Sequence, residues 1–275
     1  MSRVVISDSS CDMHPIPGVL EIVPLIISLG EKQYVDDENL DIAAFLDALR
    51  NHKGKSSTAC PNVQAWENAF AGHEECFVVT MTSNLSGTYN SARVARDEYL
   101  QEHPECRIEI FDTLSTGPEM RLLAERLLEW VKAEKPYAEI VASGHDYLST
   151  TRLFYTLMTL HNLAENGRVP KLIASAFDVL GMRVIATASK EGTVQSTAKC
   201  RGDRRALEKL LDQIRAAGYH GGRMRITHVD NLEGAERIRA GIKASWPDAD
   251  VQVFPCTGLC SYYAEPGGLL IGLEC

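Results

Sequence analysis

"VVTMTSNLSGTYNSA", Val78 to Ala92, is the stretch that decides the fold. Its opening residues continue an apolar run from Cys76 that has the look of a strand buried on both faces. A short turn of hydroxyl residues and one glycine follows: Thr82, Ser83, Ser86, Gly87 and Thr88. Then "SGTYNSARVARDEYLQ" reads as a helix. Such a junction can cap the helix, hold an anion on the free N–H groups of its first turn, or present a nucleophile. Gly87 is expected to allow close backbone approach or a positive φ, while Ser86 and Thr88 offer hydroxyl donors. A nucleophilic Ser86 would need a base, and no G-x-S-x-G elbow surrounds it. His145 and His228 are the histidines left as candidates for that role.

Working outward, the same strand–turn–helix alternation recurs through the first half. "RVVIS" (Arg3 to Ser7) and "RIEIFDT" (Arg107 to Thr113) read as strands, and "GPEMRLLAERLLEWVKAE" as a strongly amphipathic helix. "VLEIVPLIIS" (Val19 to Ser28) reads as one further strand, and Leu40 to His52 and Asn62 to His73 as helices. Alternation of this kind predicts a parallel sheet with helices on both faces, and ligands bind such sheets at the C-terminal ends of the strands. Three hydroxyl-rich turns fall there: Asp8 to Ser10, Thr82 to Thr88 and Thr113 to Thr116.

After about residue 150 the pattern changes. "TRLFYTLMTLHNL" alternates like a strand, and "FDVLGMRVIATASKEGTVQSTAKCRGD" reads as two strands joined by a hairpin at "KEGT". Two helix–strand units and a closing glycine-rich turn and strand follow. Asp203 is the expected N-cap of the first of these helices. The fold class expected is α/β in two domains: residues 1–150 with a parallel sheet in an α/β/α arrangement, and residues 151–275 with a mixed sheet.

The net charge of -9 argues against nucleic acid or anionic membranes as partners held by bulk electrostatics. The longest apolar runs fall far short of a membrane span, and the strand beginning at Arg3 leaves no room for a signal peptide, so a cytoplasmic location is expected. The eight cysteines contain no C-x-x-C pair and the eight histidines no metal-binding spacing. They read as reduced thiols with no metal and no cofactor, and there is no P-loop or G-x-G-x-x-G fingerprint.

"ISDSSCD", "VPL", "SSTACPN", "TSNLSGTYNSA", "FDTLSTGP", "NGRV" and "KCRGDRRALEKL" occur in that order along nearly the whole chain. In this order they resemble the DegV family of bacterial fatty-acid-binding proteins. The resemblance implies two domains that hold one long-chain fatty acid, such as palmitate, in a tunnel between them. It implies a carboxylate gripped by Thr58 of the "TAC" element and Ser86 of the "SGTY" element, with Gly87 and Thr88 beside it and Arg168 of "NGR" nearby. It also implies a binding protein, not itself an enzyme, that presents the acid to a separate fatty acid kinase or serves lipid transport. The chain departs from the family where an H-x-G-P-G motif is common: Tyr263 stands for the histidine and Glu265 for the first glycine. Tyr263 can still donate to a carboxylate. Glu265 would repel one unless it points away. The alternative is an enzyme acting on a small carboxylate or phosphate at the same turn, which would need a base beside Ser86 and a compact polar pocket. A scaffold with a vestigial pocket is a third reading.

Overall fold

The computed structural model describes residues 2–171 and 181–275. Strands β1 (Arg3–Asp8), β2 (Leu20–Val23), β6 (Glu75–Thr80) and β7 (Arg107–Asp112) form a wholly parallel sheet in the order β2-β1-β6-β7. Alternation along β1 decides which helices cover it. Val4 and Ile6 face α2 (Val63–Phe70) and α3 (Thr88–Glu102), packing with Trp66, Phe70, Ala92 and Ala95. Val5 faces α4 (Pro118–Lys132) and α5 (Tyr137–Thr150), packing with Met120, Leu123, Leu127 and Ile140.

The expected strand from Val19 to Ser28 is two strands. Pro24 has no N–H to give a ladder, and β2 ends at Val23. The chain then enters β3 (Ile26–Leu29), the centre of a separate antiparallel sheet in the order β4-β3-β5. Its edges are β4 (Lys32–Val35) and β5 (Ser56–Ala59), so Thr58 sits on an edge strand paired with Ile27. Between them runs α1 (Ile42–Asn51), capped by the side chain of Asp41.

The six-stranded mixed sheet has the order β10-β9-β8-β13-β11-β12 and draws all its strands from residue 151 onward. They are β8 (Thr151–Leu157), β9 (Met182–Ala188), β10 (Val194–Arg201), β11 (Met224–His228), β12 (Val251–Pro255) and β13 (Leu269–Glu274). Only β11 and β12 pair in parallel. The hairpin β9–β10 turns at residues 189–193 as the "KEGT" reading expects; residues 177–180 of that reading lie outside the described residues.

One face of this sheet is covered by α7 (Asp203–Ala216) and α8 (Leu232–Ser245) through Leu210, Ile214, Ile238 and Ile242. The N-cap of α7 is Gly202, not Asp203. Asp203 falls inside the first turn, where its carboxylate pairs with Arg183 at 2.7 Å. The other face, with Leu153, Tyr155, Leu157 and Leu270, looks toward the N-terminal half. It packs there with α6 (His161–Glu165) and with α9 (Gly258–Ala264), a helix where the sequence suggests only a turn. The halves meet closely at Gly272 of β13. A Cβ there would stand 2.5 Å from Glu119 N and from Pro118 C in the first turn of α4.

Candidate functional site

Parallel order brings the hydroxyl turns together, because β1, β6 and β7 are neighbours and each ends in one. They do different work. The Asp8 turn is buried, and Asp8 accepts from Ser10 N at 2.9 Å and Met81 N at 2.7 Å, tying two strand ends together. In the third turn Thr113 Oγ1 donates to Thr80 O, Ser115 O accepts from Thr82 N, and only Thr116 reaches the cavity described next.

That cavity lies between the halves, and the space between its walls, open mouth included, is about 640 Å³. Its wall is mainly aliphatic. Leu25, Met81 and Leu85 come from the N-terminal half, and Leu157, Leu163 and Leu270 from the C-terminal half, with others from α9. Thr58, Ser86, Arg168 and Tyr263 are the polar residues gathered in one part of it. Thr58 Oγ1 and Tyr263 Oη share a hydrogen bond of 2.8 Å. Arg168 Nε donates to Leu85 O at 3.0 Å, so a residue of the C-terminal half holds the carbonyl just before Ser86. Burial raises the Tyr263 hydroxyl above the usual tyrosine pKa, while its bond to Thr58 and the charge of Arg168 oppose that shift.

Gly87 and Thr88 stand behind this group. Gly87 has φ −74°, so no left-handed conformation requires the glycine; its absent side chain serves close approach, since a Cβ would stand 3.3 Å from Cys60 Sγ. It is the N-cap of α3 and offers no capping side chain. Ser86 supplies part of the cap from one position earlier, accepting from Thr88 N at 3.3 Å and sharing a 2.8 Å bond with Thr88 Oγ1. Thr88 itself is fully buried. Capping and anion binding are therefore not rival readings of this turn: Ser86 Oγ is both a cap and part of the cavity wall.

Glu265 points away from the cavity. Its Oε1 accepts from Asn162 N at 3.0 Å at the start of α6, where the helix's free N–H groups favour a carboxylate. Tyr262, the neighbour of Tyr263, binds Ser56 at 2.6 Å and Asn166 at 2.8 Å, so two successive tyrosines of α9 fasten to alternate residues of β5. The turn of the β9–β10 hairpin rests on the turns that follow β6 and β7. Asn84 Nδ2 donates to Glu191 O at 2.6 Å, and at Gly192, with φ +75°, a Cβ would come within 2.9 Å of the Leu114 backbone.

The histidines proposed for an activated Ser86 are engaged elsewhere. His145 Nε2 pairs with Glu109 at 2.8 Å, and His228 accepts from Asn231 N. Among the described residues, no histidine lines the cavity.

The model of the family described as "Uncharacterised protein, DegV family" matches residues 2–274. The chain belongs to the DegV family. A DegV domain-containing protein of Streptococcus pneumoniae is 35% identical over 279 aligned positions, covering 100% of this chain and 99% of the relative. Among solved structures, a DegV family protein from Eubacterium eligens loaded with heptadecanoic acid superposes with TM-score 0.96 at 47% identity, over 99% of both chains. The Streptococcus pneumoniae Fatty Acid Kinase (Fak) B3 protein loaded with linoleic acid superposes with TM-score 0.97 at 35% identity, covering 100% of this chain and 99% of that one. The α/β architecture of a parallel-sheet half and a mixed-sheet half is thus the DegV fold. No described helix is long and apolar enough to cross a membrane.

Buried carboxylates give this DegV chain a pH dependence, Asp12 and Glu119 being raised by burial along with Asp8 and Asp36. Burial pushes Asp8 up to about 6 and Asp36 up to about 7, from an ordinary value of 3.8. Between pH 4 and 7 the folded state therefore binds more protons than the unfolded chain, and stability falls as pH rises through that window. Half-buried His228, whose pKa is lowered by burial, acts oppositely below its ordinary 6.5. We expect the melting temperature to fall between pH 5.5 and 7.5, and Asp36→Asn to flatten that slope; a melting temperature rising over this interval would contradict the assignment.

Proposed function

We propose that this protein binds one long-chain fatty acid with its carboxylate at Thr58, Ser86 and Tyr263 and its acyl chain along the aliphatic wall. One observation carries the reading: a mainly apolar cavity between the halves has Thr58, Ser86, Tyr263 and one arginine gathered together, as an amphiphile with a single anionic end requires. Heptadecanoic and linoleic acid in the two structural relatives support it. Arg168 acts mainly through the loop, because its Nε is spent on Leu85 O, and lends its positive charge to the same end. Thr88 and Gly87 shape the Ser86 turn from behind.

The residues gathered around Ser86 favour binding over chemistry, since Ser86 is paired with Thr88 rather than with a base. Phosphorylation of the bound acid falls to a separate kinase that brings its own nucleotide and metal; the name of the Streptococcus pneumoniae relative supports such a partnership. We place the division between the two domains at residues 150 and 151, where α5 ends and β8 begins.

Mass spectrometry of the purified protein, native and then after solvent extraction, tests the ligand class. A stoichiometric long-chain acid is expected. An empty protein that takes up no added acid would overturn the reading. The combined change Thr58→Ala and Ser86→Ala removes two hydroxyl bonds to a charged group, at about 1.5–3 kcal/mol each. We expect at least a hundredfold weaker retention with the melting temperature little changed; unaltered retention would remove both residues from the carboxylate site.

A further inference from the structure

The first three N–H groups at the start of α9 are all taken by carboxylates from the N-terminal half. Asp12 Oδ1 accepts from Thr257 N at 2.9 Å and from Thr257 Oγ1 at 3.1 Å. Asp36 accepts from Gly258 N at 2.6 Å through one oxygen and from Leu259 N at 2.9 Å through the other. Both carboxylates are almost wholly buried, at 3% and 2% exposure. The fit is tight: a Cβ on Gly258 would stand 2.7 Å from Asp36 Oδ1 and 2.6 Å from Leu40 Cδ2. Two further bonds close the same junction, Thr257 Oγ1 to Ser9 O at 3.0 Å and Cys260 Sγ to Ser10 O at 3.3 Å. Downstream on α9 come Leu259, Cys260, Tyr263 and Ala264, four residues of the cavity wall.

We propose that Asp36 is a positioning residue for the bound fatty acid: its carboxylate sets the placement of α9, and through α9 that of Tyr263 and one wall of the cavity. The proposal rests on the reading of the cavity as a fatty-acid site. Asp36 touches no lining atom of the carboxylate end; it acts through the helix. Its grip depends on charge. Ionised, the carboxylate cannot leave the two N–H groups without stranding a buried charge, whereas neutral it can part from one of them at little cost. The titratable groups acting on it are Asp12 from the turn after β1, and Cys256 and Cys260 on either side of the helix start. The Ser9 hydroxyl faces it and favours the ionised form, against burial, which brings its titration to about 7. Fatty-acid affinity is therefore coupled to pH near neutrality.

The test is the affinity of the full chain for palmitate between pH 6 and 8, measured alongside Asp36→Asn and Ser9→Ala. The fatty acid's own carboxyl titrates alike for all three proteins, so differences between them report the protein. Wild type is expected to bind about tenfold more tightly above the Asp36 titration than below it, the value of one charge-assisted hydrogen bond. Asp36→Asn should match wild type at the acid end and lack the step. Ser9→Ala should keep the step and move its midpoint to higher pH. Folded variants that both reproduce the wild-type profile would overturn the proposal. Hydrogen exchange at the Gly258 and Leu259 amides, in ligand-free protein, reads the clamp without the ligand. Much faster exchange in Asp36→Asn supports it, and unchanged exchange refutes it. Should wild type take up no fatty acid at any pH, the cavity reading falls, and the exchange measurement still decides whether Asp36 holds α9.

Discussion

Ala264→Phe is expected to abolish fatty-acid binding while leaving the protein folded. Ala264 is 4% exposed and lies on the cavity wall one residue beyond Tyr263, so a phenyl ring there has the cavity itself to occupy. The size of the effect follows from what the wall contributes. About 14 buried methylenes at roughly 0.8 kcal/mol each give about 11 kcal/mol of gross driving force, part of it offset by immobilising the chain. The hydroxyl end supplies about 1.5–3 kcal/mol per bond. Blocking the wall should therefore cost more affinity than removing the hydroxyls, with binding abolished against a loss of about a hundredfold to ten-thousandfold for Thr58→Ala with Ser86→Ala. Titration of both variants with one fatty acid, and a melting curve for each, makes the comparison. The reverse ranking would mean that a small anion, and not an acyl chain, is what the site was built for.

Gly272→Ala is expected to lower the melting temperature by about 6–12 °C, the equivalent of about 3 kcal/mol for a chain of this size. The neighbours a Cβ would meet are backbone atoms of Glu119 and Pro118, which cannot rotate away as a side chain can. The first turn of α4 would have to retreat from β13. Helix α4 carries Met120, Leu123 and Leu127 into the core of the N-terminal half, so the strain spreads into that core. Gly241→Ala is the control: its nearest neighbour is the end of the Leu211 side chain at 3.0 Å, which can yield. A Gly272→Ala protein as stable as Gly241→Ala would show that the apposition of β13 and α4 is looser than these distances indicate.

The alternation of strand, hydroxyl turn and helix was legible, and with it the parallel sheet and the clustering of turns at its C-terminal edge. What escaped has identifiable causes. Helix α5 follows Pro136 at its N-cap and contains Ser143, Gly144, Ser149 and Thr150, residues of low helix propensity. It is held by packing instead: Gly144 leaves room for the Phe111 ring, which a Cβ would meet at 2.6 Å. Helix α9 escaped because its glycine start is stabilised by Asp12 and Asp36, more than 220 residues away in sequence. Asp36 itself sits in "VDDEN", where nothing separates a buried carboxylate from its exposed neighbours. The pairing of Thr58 with Tyr263 spans 205 positions and was reachable only through the family resemblance. The cavity wall is shared by both halves, and which aliphatic residues line it rather than fill the core is not written in any local pattern. Glu265, the departure that raised most doubt about an anionic ligand, is resolved by a bond no local pattern announces.

The hairpin turn that rests on Asn84 and Leu114 limits how this site can be remade. Residues 82–88 serve as seat for that hairpin and as holder of Ser86, so lengthening them by even one residue would unseat the hairpin and displace the hydroxyl together. Insertions and grafted head-group chemistry are poorly accommodated there. The side chains of Leu157, Leu163 and Val194 have no hydrogen-bonding capacity to lose, and exchange among aliphatic residues of different bulk leaves the turn undisturbed. A designer wishing to retune chain length or the bend of an unsaturated acid has those positions to work with, and would do well to leave the serine's loop at its native length.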